Sequence, residues 1–312
     1  MAATKNPLRF GVNIRRPSFP EVLAQAQAAE EAGFDTVTFS DRPPEQNLEA
    51  WTVATAVGVL TRRVILAHST LNVPFRNPAL LAKMAASLDV ITGGGRVELM
   101  LGAGAQEAHF RSYGIPFGPP AERFRALREA VHILRGLWAH PSFTYHGRIY
   151  HVQEAQAPPR PVRGTIPIWI GALRPQMLAY TGRIADGWLK NRGWPSSLDE
   201  LRGLVAQLEA AAEQAGRDPA TIRRALNGAG GIGESAAEVE RIHRAFADHP
   251  MPGGQAGLVG TVDQILETIA AYREAGVDTF HLQFPPEDTA EQIRWFGRAV
   301  LPRARALAGA PA

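Results

Sequence analysis

Two short stretches set titratable side chains just behind apolar, strand-like runs. Asp41 and Arg42 follow Thr36 to Ser40, and Glu107 and His109 follow Val97 to Leu101 by a few residues. A carboxylate or imidazole in such a place suits acid and base work. A guanidinium stays charged near neutral pH, so Arg42 can hold an anion but cannot give up a proton. A third stretch, Gly171, Ala172, Leu173 and Arg174, leads into a helix starting near Pro175. The first turn of a helix offers free N–H donors and the positive end of its dipole, and Arg174 adds a fork of donors for an oxyanion. Lys190, Asn191 and Arg192 follow the next apolar run and could close the other side of an anion site; two solvated basic residues are the plain alternative. His68 and His281 lie inside apolar runs and read as packing residues.

Several chemistries lose support. With no cysteine there is no disulfide, thiolate metal site, iron–sulfur cluster or thiol nucleophile. The nine histidines show no H-x-H or H-E-x-x-H spacing, and neither a G-x-S-x-G elbow nor a phosphate loop ending in Gly-Lys-Ser/Thr occurs. No metal site is expected. The run Asn227 to Gly233 contains a literal G-x-G-x-x-G at Gly228, Gly230 and Gly233. It reads first as a flexible loop, second as a phosphate-approaching barrel loop, and third as a Rossmann fingerprint. Formal charge is +3 with 33 basic residues, but lysine occurs only at positions 5, 83 and 190, and the arginines are scattered among acidic neighbours. No basic stripe interleaved with aromatics points to nucleic acid. The first residues carry no apolar stretch, and no run of ~18 apolar residues occurs, so neither a secretory signal nor a membrane span is expected. A cytoplasmic protein is the expectation.

The elements that must position these residues alternate. Short apolar runs at Arg9 to Ile14, Thr36 to Ser40, Val64 to Thr70, Val97 to Leu101, Ile166 to Gly171, Gly187 to Lys190, Ile222 to Asn227 and Thr279 to Phe284 are separated by stretches of helical period, including Phe19 to Ala32, Ala79 to Val90, Ala121 to Trp138, Leu198 to Ala215 and Val262 to Ala275. Eight such units predict a (β/α)8 TIM barrel, with its chemistry on the loops after the strands. Gly33 and Gly276 fall where a helix stops before a strand, which is C-cap usage. Two segments exceed the minimal barrel: a hairpin over Thr144 to His151 with Gly147 in its turn, and a Gly/Pro-rich loop over His249 to Gly260. Both are expected as covers at the barrel mouth, in a single domain over residues 1–312. With no protein nucleophile or metal cluster, a barrel enzyme needs an organic cofactor.

The run from Val64 through Arg76-Asn-Pro-Ala79, the helix closing at Leu88-Asp89, then Gly93-Gly-Gly-Arg96 and Gly102-Ala-Gly104 resembles the bacterial luciferase-like family. So do Ala121-Glu-Arg-Phe124 with Leu127 and Glu129, Pro167-Ile-Trp-Ile-Gly171, and Gly182-Arg-Ile-Ala-Asp-Gly-Trp188. That family includes FMN-dependent monooxygenases and reductases using the deazaflavin coenzyme F420. The resemblance implies a non-proline cis bond at Ser69–Thr70, small residues at Gly102 and Gly104 that let a planar ring approach, and a cofactor phosphate at Gly171 to Arg174. Asn13, Asp41, Arg42, Asn72, Glu107 and His109 are retained polar residues at the mouth. It departs where many members carry Asp-His and this chain reads Asp41-Arg42, and at Ala105, where the family's sugar-phosphate dehydrogenases carry Glu. The expectation is hydride transfer between F420 and a small organic substrate. An FMN-dependent monooxygenase is the near alternative, and a non-catalytic flavin-binding barrel the distant one. A monomer or a homodimer is left open.

Overall fold

The computed structural model describes residues 6–42, 45, 47–190, 193–248 and 256–309. Within them the apolar runs become strands β1 (Arg9–Ile14), β2 (Thr36–Phe39), β3 (Ile65–His68), β4 (Leu71–Asn72), β5 (Leu99–Gly102), β6 (Phe143–His146), β7 (His151–Ala155), β8 (Ile168–Ala172), β9 (Gly187–Lys190), β10 (Arg223–Ile232), β11 (Gly257–Gly260) and β12 (Thr279–Gln283). The helices include α1 (Phe19–Glu31), α2 (Ala50–Leu60), α3 (Pro78–Ile91), α4 (Glu107–Ser112), α5 (Pro120–Ala139), α6 (Pro175–Ile184), α7 (Leu198–Gln214), α8 (Ala236–Asp248) and α9 (Val262–Glu274).

The hydrogen-bonded order is β3-β2-β1-β12-β10-β9-β8-β5-β4, with β11 added on β10. The β1–β12, β12–β10, β10–β9 and β4–β5 registers are all parallel. The order closes on itself, because Leu66 of β3 bridges in parallel to Val97, just ahead of β5. The fold is a parallel, nearly closed barrel of nine strands with helices between them. The expected third strand is two pieces, β3 and β4, separated by a cis Ser69–Thr70 peptide.

Cα proximity divides the chain into two compact units, one of Met1–Ile14, Pro20–Thr38 and Ile170–Ala312, the other of Arg15–Phe19 and Phe39–Trp169. In the first, Gly33 at φ +83° and Gly276 at φ +98° end α1 and α9 as the sequence predicts, conformations that a Cβ would oppose. Helix α9 begins with a full capping box between Thr261 and Gln264, and α7 with Ser197 accepting from the Glu200 amide. Two expectations fail here. The glycine-rich run is not a loop, since Gly228 to Ile232 are the last residues of β10, buried from Ala229 on. Residues 249–255 lie outside the described set, but Gly257–Gly260 form a strand paired to β10 rather than a covering loop. Both have one cause, close approach. A Cβ on Gly257 would overlap the Ala229 backbone, and one on Gly228 would meet the Trp194 ring at 2.6 Å. The glycines serve strand packing, which removes the Rossmann reading.

In the second unit α3 starts as expected, with Asn77 accepting from the Ala79 and Leu80 amides and Pro78 at its first position. Asp89 near its end accepts from the Gly95 amide at 2.7 Å and the Val162 amide at 2.8 Å, tying down the Gly93 to Gly95 turn. The β6–β7 hairpin is antiparallel, with His146 opposite His151. Its turn is held from outside: the buried Glu129 carboxylate of α5 accepts from the amides of Arg148 (3.0 Å), Ile149 (2.9 Å) and Tyr150 (3.0 Å). Those three bonds outweigh burial and keep Glu129 below the ordinary carboxylate range. A Cβ on Gly147 would overlap that carboxylate, so Gly147 is there to admit Glu129.

Candidate active site

In the second unit, the ends of β2, β3, β4 and β5 carry most of the expected site. The Ser69 amide donates to the Phe39 carbonyl at 2.9 Å, which seats the β3–β4 break against the end of β2. Asp41 is 2% exposed and fully engaged. Its carboxylate accepts from the Asn72 amide at 2.8 Å and from both terminal nitrogens of Arg76 at 2.9 Å each. Asn72 Nδ2 returns a bond of 2.7 Å to the Asp41 carbonyl. A carboxylate clasped by a bidentate guanidinium holds geometry rather than moving protons. Arg76 goes on to Glu49 at 2.5 Å, and Glu49 caps α2 through the Trp51 (3.0 Å) and Thr52 (2.7 Å) amides. Burial pushes Glu49 up, but the Thr52 hydroxyl and amide, the Trp51 amide and Arg76 outweigh it and bring its pKa down to about 2. Arg76 is raised above its ordinary value because Asp41 and Glu49 outweigh the cost of its burial.

Gly102 lies opposite Asn72 in the β4–β5 register, and a Cβ there would meet Thr70 Oγ1 at 2.6 Å. Gly104 has φ +85°, and a Cβ on it would overlap the Phe110 ring. Both glycines thus have a packing reason of their own. Glu107 and His109 fall on α4, a short helix rather than the loop expected after a barrel strand. Glu107 is exposed and paired with Arg111 one turn on at 2.7 Å, while His109 is half-buried. Arg42 Nη1 donates to Glu45 Oε1 at 2.9 Å, and Arg15 pairs with the other oxygen of the same carboxylate.

His68 is wholly buried, with its ring stacked 5.1 Å from Trp51 of α2 at 7° between planes. Burial first, then the Arg76 charge, drives its pKa down to about 3. It is a neutral core side chain, as expected.

In the first unit, Asn13 stands near the end of β1, and its buried Oδ1 has no hydrogen-bond partner. Gly171 and Ala172 end β8 in the buried interior, and the Trp188 indole N–H donates to the Ala172 carbonyl at 3.0 Å. Leu173 is half-buried, and the exposed Arg174 is the N-cap of α6. No side chain caps α6, and Pro175 fills its first position, so the next amides point out unsatisfied by the chain's own side chains. Lys190 is not the free cation expected. It is 3% exposed, 3.3 Å from the Gly193 carbonyl and 3.4 Å from Glu200. Glu200 is held low first by the Ser196 hydroxyl, then by the Ser196 amide. Asn191 and Arg192 lie outside the described residues. His281 on β12 is buried against Gly11, where a Cβ would meet its ring at 2.6 Å, and burial drives its pKa to about 3.

The luciferase-like monooxygenase model matches residues 3–256. The chain belongs to this family. Among curated relatives of this luciferase-like chain, an F420-dependent glucose-6-phosphate dehydrogenase of Nakamurella multipartita is 30% identical, covering 98% of this chain and 99% of its own. A protein of the same name from Microbacterium testaceum is 29% identical over 96% and 98%. A solved F420-dependent secondary alcohol dehydrogenase superposes with a TM-score of 0.82 at 20% identity, over 96% of this chain and 99% of that one. The last likeness supports the luciferase-like barrel fold. Among the described residues, no helix is long and apolar enough to cross a membrane, and no cluster of three metal-ligating side chains occurs.

Arg15, Glu45, Glu49 and the Arg76 clasp escaped the sequence reading. Arg76 stood inside the motif that carried the resemblance, but its partner is 35 residues away.

Proposed function

We propose that this chain is an F420-dependent oxidoreductase that passes hydride between the deazaflavin and a small organic substrate in the cytoplasm. The observation that carries the reading is the pair of relatives, both named F420-dependent, that match nearly end to end. The residues present suit such a cofactor. The uncapped start of α6 with Arg174 beside it is a donor set for a phosphate, and the orphaned Asn13 Oδ1 is an acceptor for a ring N–H. Gly171, Ala172 and Leu173 would bring the backbone to the phosphate. Ser69, Thr70, Asn72, Gly102 and Gly104 would shape the support for the ring. Once bound, the deazaflavin supplies the carbon that accepts or gives the hydride.

The chain's own residues do the rest. Asp41 and Arg76 position Asn72 and the β4 segment. Arg42 holds negative charge, since it cannot release a proton. Hydride transfer leaves a proton to be moved at the substrate, and His109, half-buried on α4 with Glu107 on the same turn, is the group assigned to move it. Lys190, whose charge is met by Glu200, supports the loop that follows β9. Ala105 stands where the family's sugar-phosphate dehydrogenases carry Glu, so the relatives' sugar phosphate is not taken over as the substrate.

Fluorescence titration with F420 and with FMN tests this. F420 should bind more tightly, and Arg174→Ala should weaken it about ten-fold, the value of one charge-assisted contact of ~1.5 kcal/mol. If FMN binds, F420 does not and Arg174→Ala changes neither, the monooxygenase reading replaces this one. Stoichiometric binding without turnover of any substrate would favour a binding barrel.

A further inference from the structure

Directly after β1 and β2, two guanidiniums share one carboxylate. Arg15 follows the last residue of β1, Arg42 lies three residues beyond the end of β2, and Glu45 bonds each through a different oxygen. All three side chains are half-buried, at 17%, 26% and 25% exposure. Two positive charges therefore surround one negative charge at the strand ends, where barrels of this type keep their chemistry. Burial lowers Arg15 from its ordinary value, Glu45 opposes that and the neighbouring Arg42 charge adds to it, so the two cations feel one another. Glu45 sits on a bend, in neither helix nor strand. Its carboxylate has the shape and charge of the group that a bidentate or bridged arginine pair recognises.

We propose that Arg15 and Arg42 form the receptor for an anionic group, carboxylate or phosphate, of the substrate, and that Glu45 occupies it until that group arrives. Exchange of one anion for another keeps both guanidiniums paired, so entry does not leave a half-buried charge without a partner. The cluster's excess positive charge favours the incoming anion. The inference rests on the oxidoreductase reading and names its substrate class.

The test is calorimetric titration of the full chain at low salt with inorganic phosphate and, separately, with acetate. Wild type, Glu45→Gln, and Glu45→Gln combined with Arg15→Gln or with Arg42→Gln are compared, and F420 binding to each is followed by fluorescence. Removing the internal competitor should tighten at least one probe about ten-fold in Glu45→Gln, and either arginine substitution, added to Glu45→Gln, should abolish that gain. The probe that tightens more identifies the anion chemistry. The proposal is overturned if neither probe tightens in Glu45→Gln, or if that gain persists unchanged in both arginine variants. Circular dichroism on each variant separates loss of a site from loss of fold; should Glu45→Gln unfold, Glu45→Ala carries the same expectation. Loss of F420 binding in wild type would sink the cofactor reading and leave the anion result standing by itself.

Discussion

Two histidines fixed as neutral core groups make stability depend on acid at pH values above the range of the carboxylates. His68 and His281 are buried, with pKa values pushed to about 3, against 6.5 in the open chain. Below 6.5 the unfolded chain takes up a proton at each and the folded chain does not. Stability is therefore complete above the unfolded pKa and falls as pH drops, until the folded pKa is reached. One and a half pH units below 6.5, each histidine removes about 2 kcal/mol, so the pair removes about 4 kcal/mol by pH 5. That is a large share of the ~5–15 kcal/mol available to a folded domain. The carboxylates held low, such as Glu49, lose their contribution only below about pH 4.5 and do not disturb this interval. Urea unfolding at pH 7, 6 and 5 on wild type, His68→Gln and His281→Gln measures it. Each substitution should reduce the slope of stability against pH by about one proton, roughly 1.4 kcal/mol per unit. Equal slopes in wild type and variant would refute the buried-neutral assignment for that histidine.

Asp41→Asn should destabilise the chain by about 2 kcal/mol, because Arg76 loses the more deeply buried of its two carboxylate partners and keeps only Glu49, and thermal denaturation would register it together with weaker F420 binding. Glu129→Gln should cost about 2 kcal/mol, since the amide keeps only one acceptor oxygen and turns an NH2 donor toward the amides the other oxygen served, with protease cleavage appearing in the 147 to 150 turn before global unfolding. Gly257→Ala should cost about 3 kcal/mol by forcing β10 and β11 apart. Chemical denaturation checks it, and a loss below 1 kcal/mol would mean that the strands are not in the close contact described.

The barrel was legible because its signal is periodic. Runs such as Arg9 to Ile14 and Gly187 to Lys190 match their strands residue for residue, and Asn77-Pro78 and Gly276 mark helix ends by local chemistry. What was not legible depends on distant partners. Nothing near Glu129 announces that it will accept three amides some 20 residues on, and nothing near Asp41 announces Arg76. The glycines of β10 read as a loop because flexibility and close packing call for the same residue, and only the neighbouring strand distinguishes them. Lys190 read as a surface cation because Glu200 lies beyond the next loop. Which charges of the expected site were already paired within the chain, as at Asp41, Glu107 and Lys190, was not readable.

The hairpin's attachment to α5 has a consequence for how that insertion can change. Glu129 reads three main-chain amides and no side chain of the turn. The identities at 148, 149 and 150 are therefore free to vary in size and charge without undocking the insertion, with proline the exception because it has no amide to give. The fixed points are the acid on α5 and the missing side chain at Gly147. A segment fastened in this way can exchange its outward face while its seat stays constant, so the β6–β7 hairpin is a place where sequence can diverge quickly, or be grafted, at little cost to the barrel beneath it.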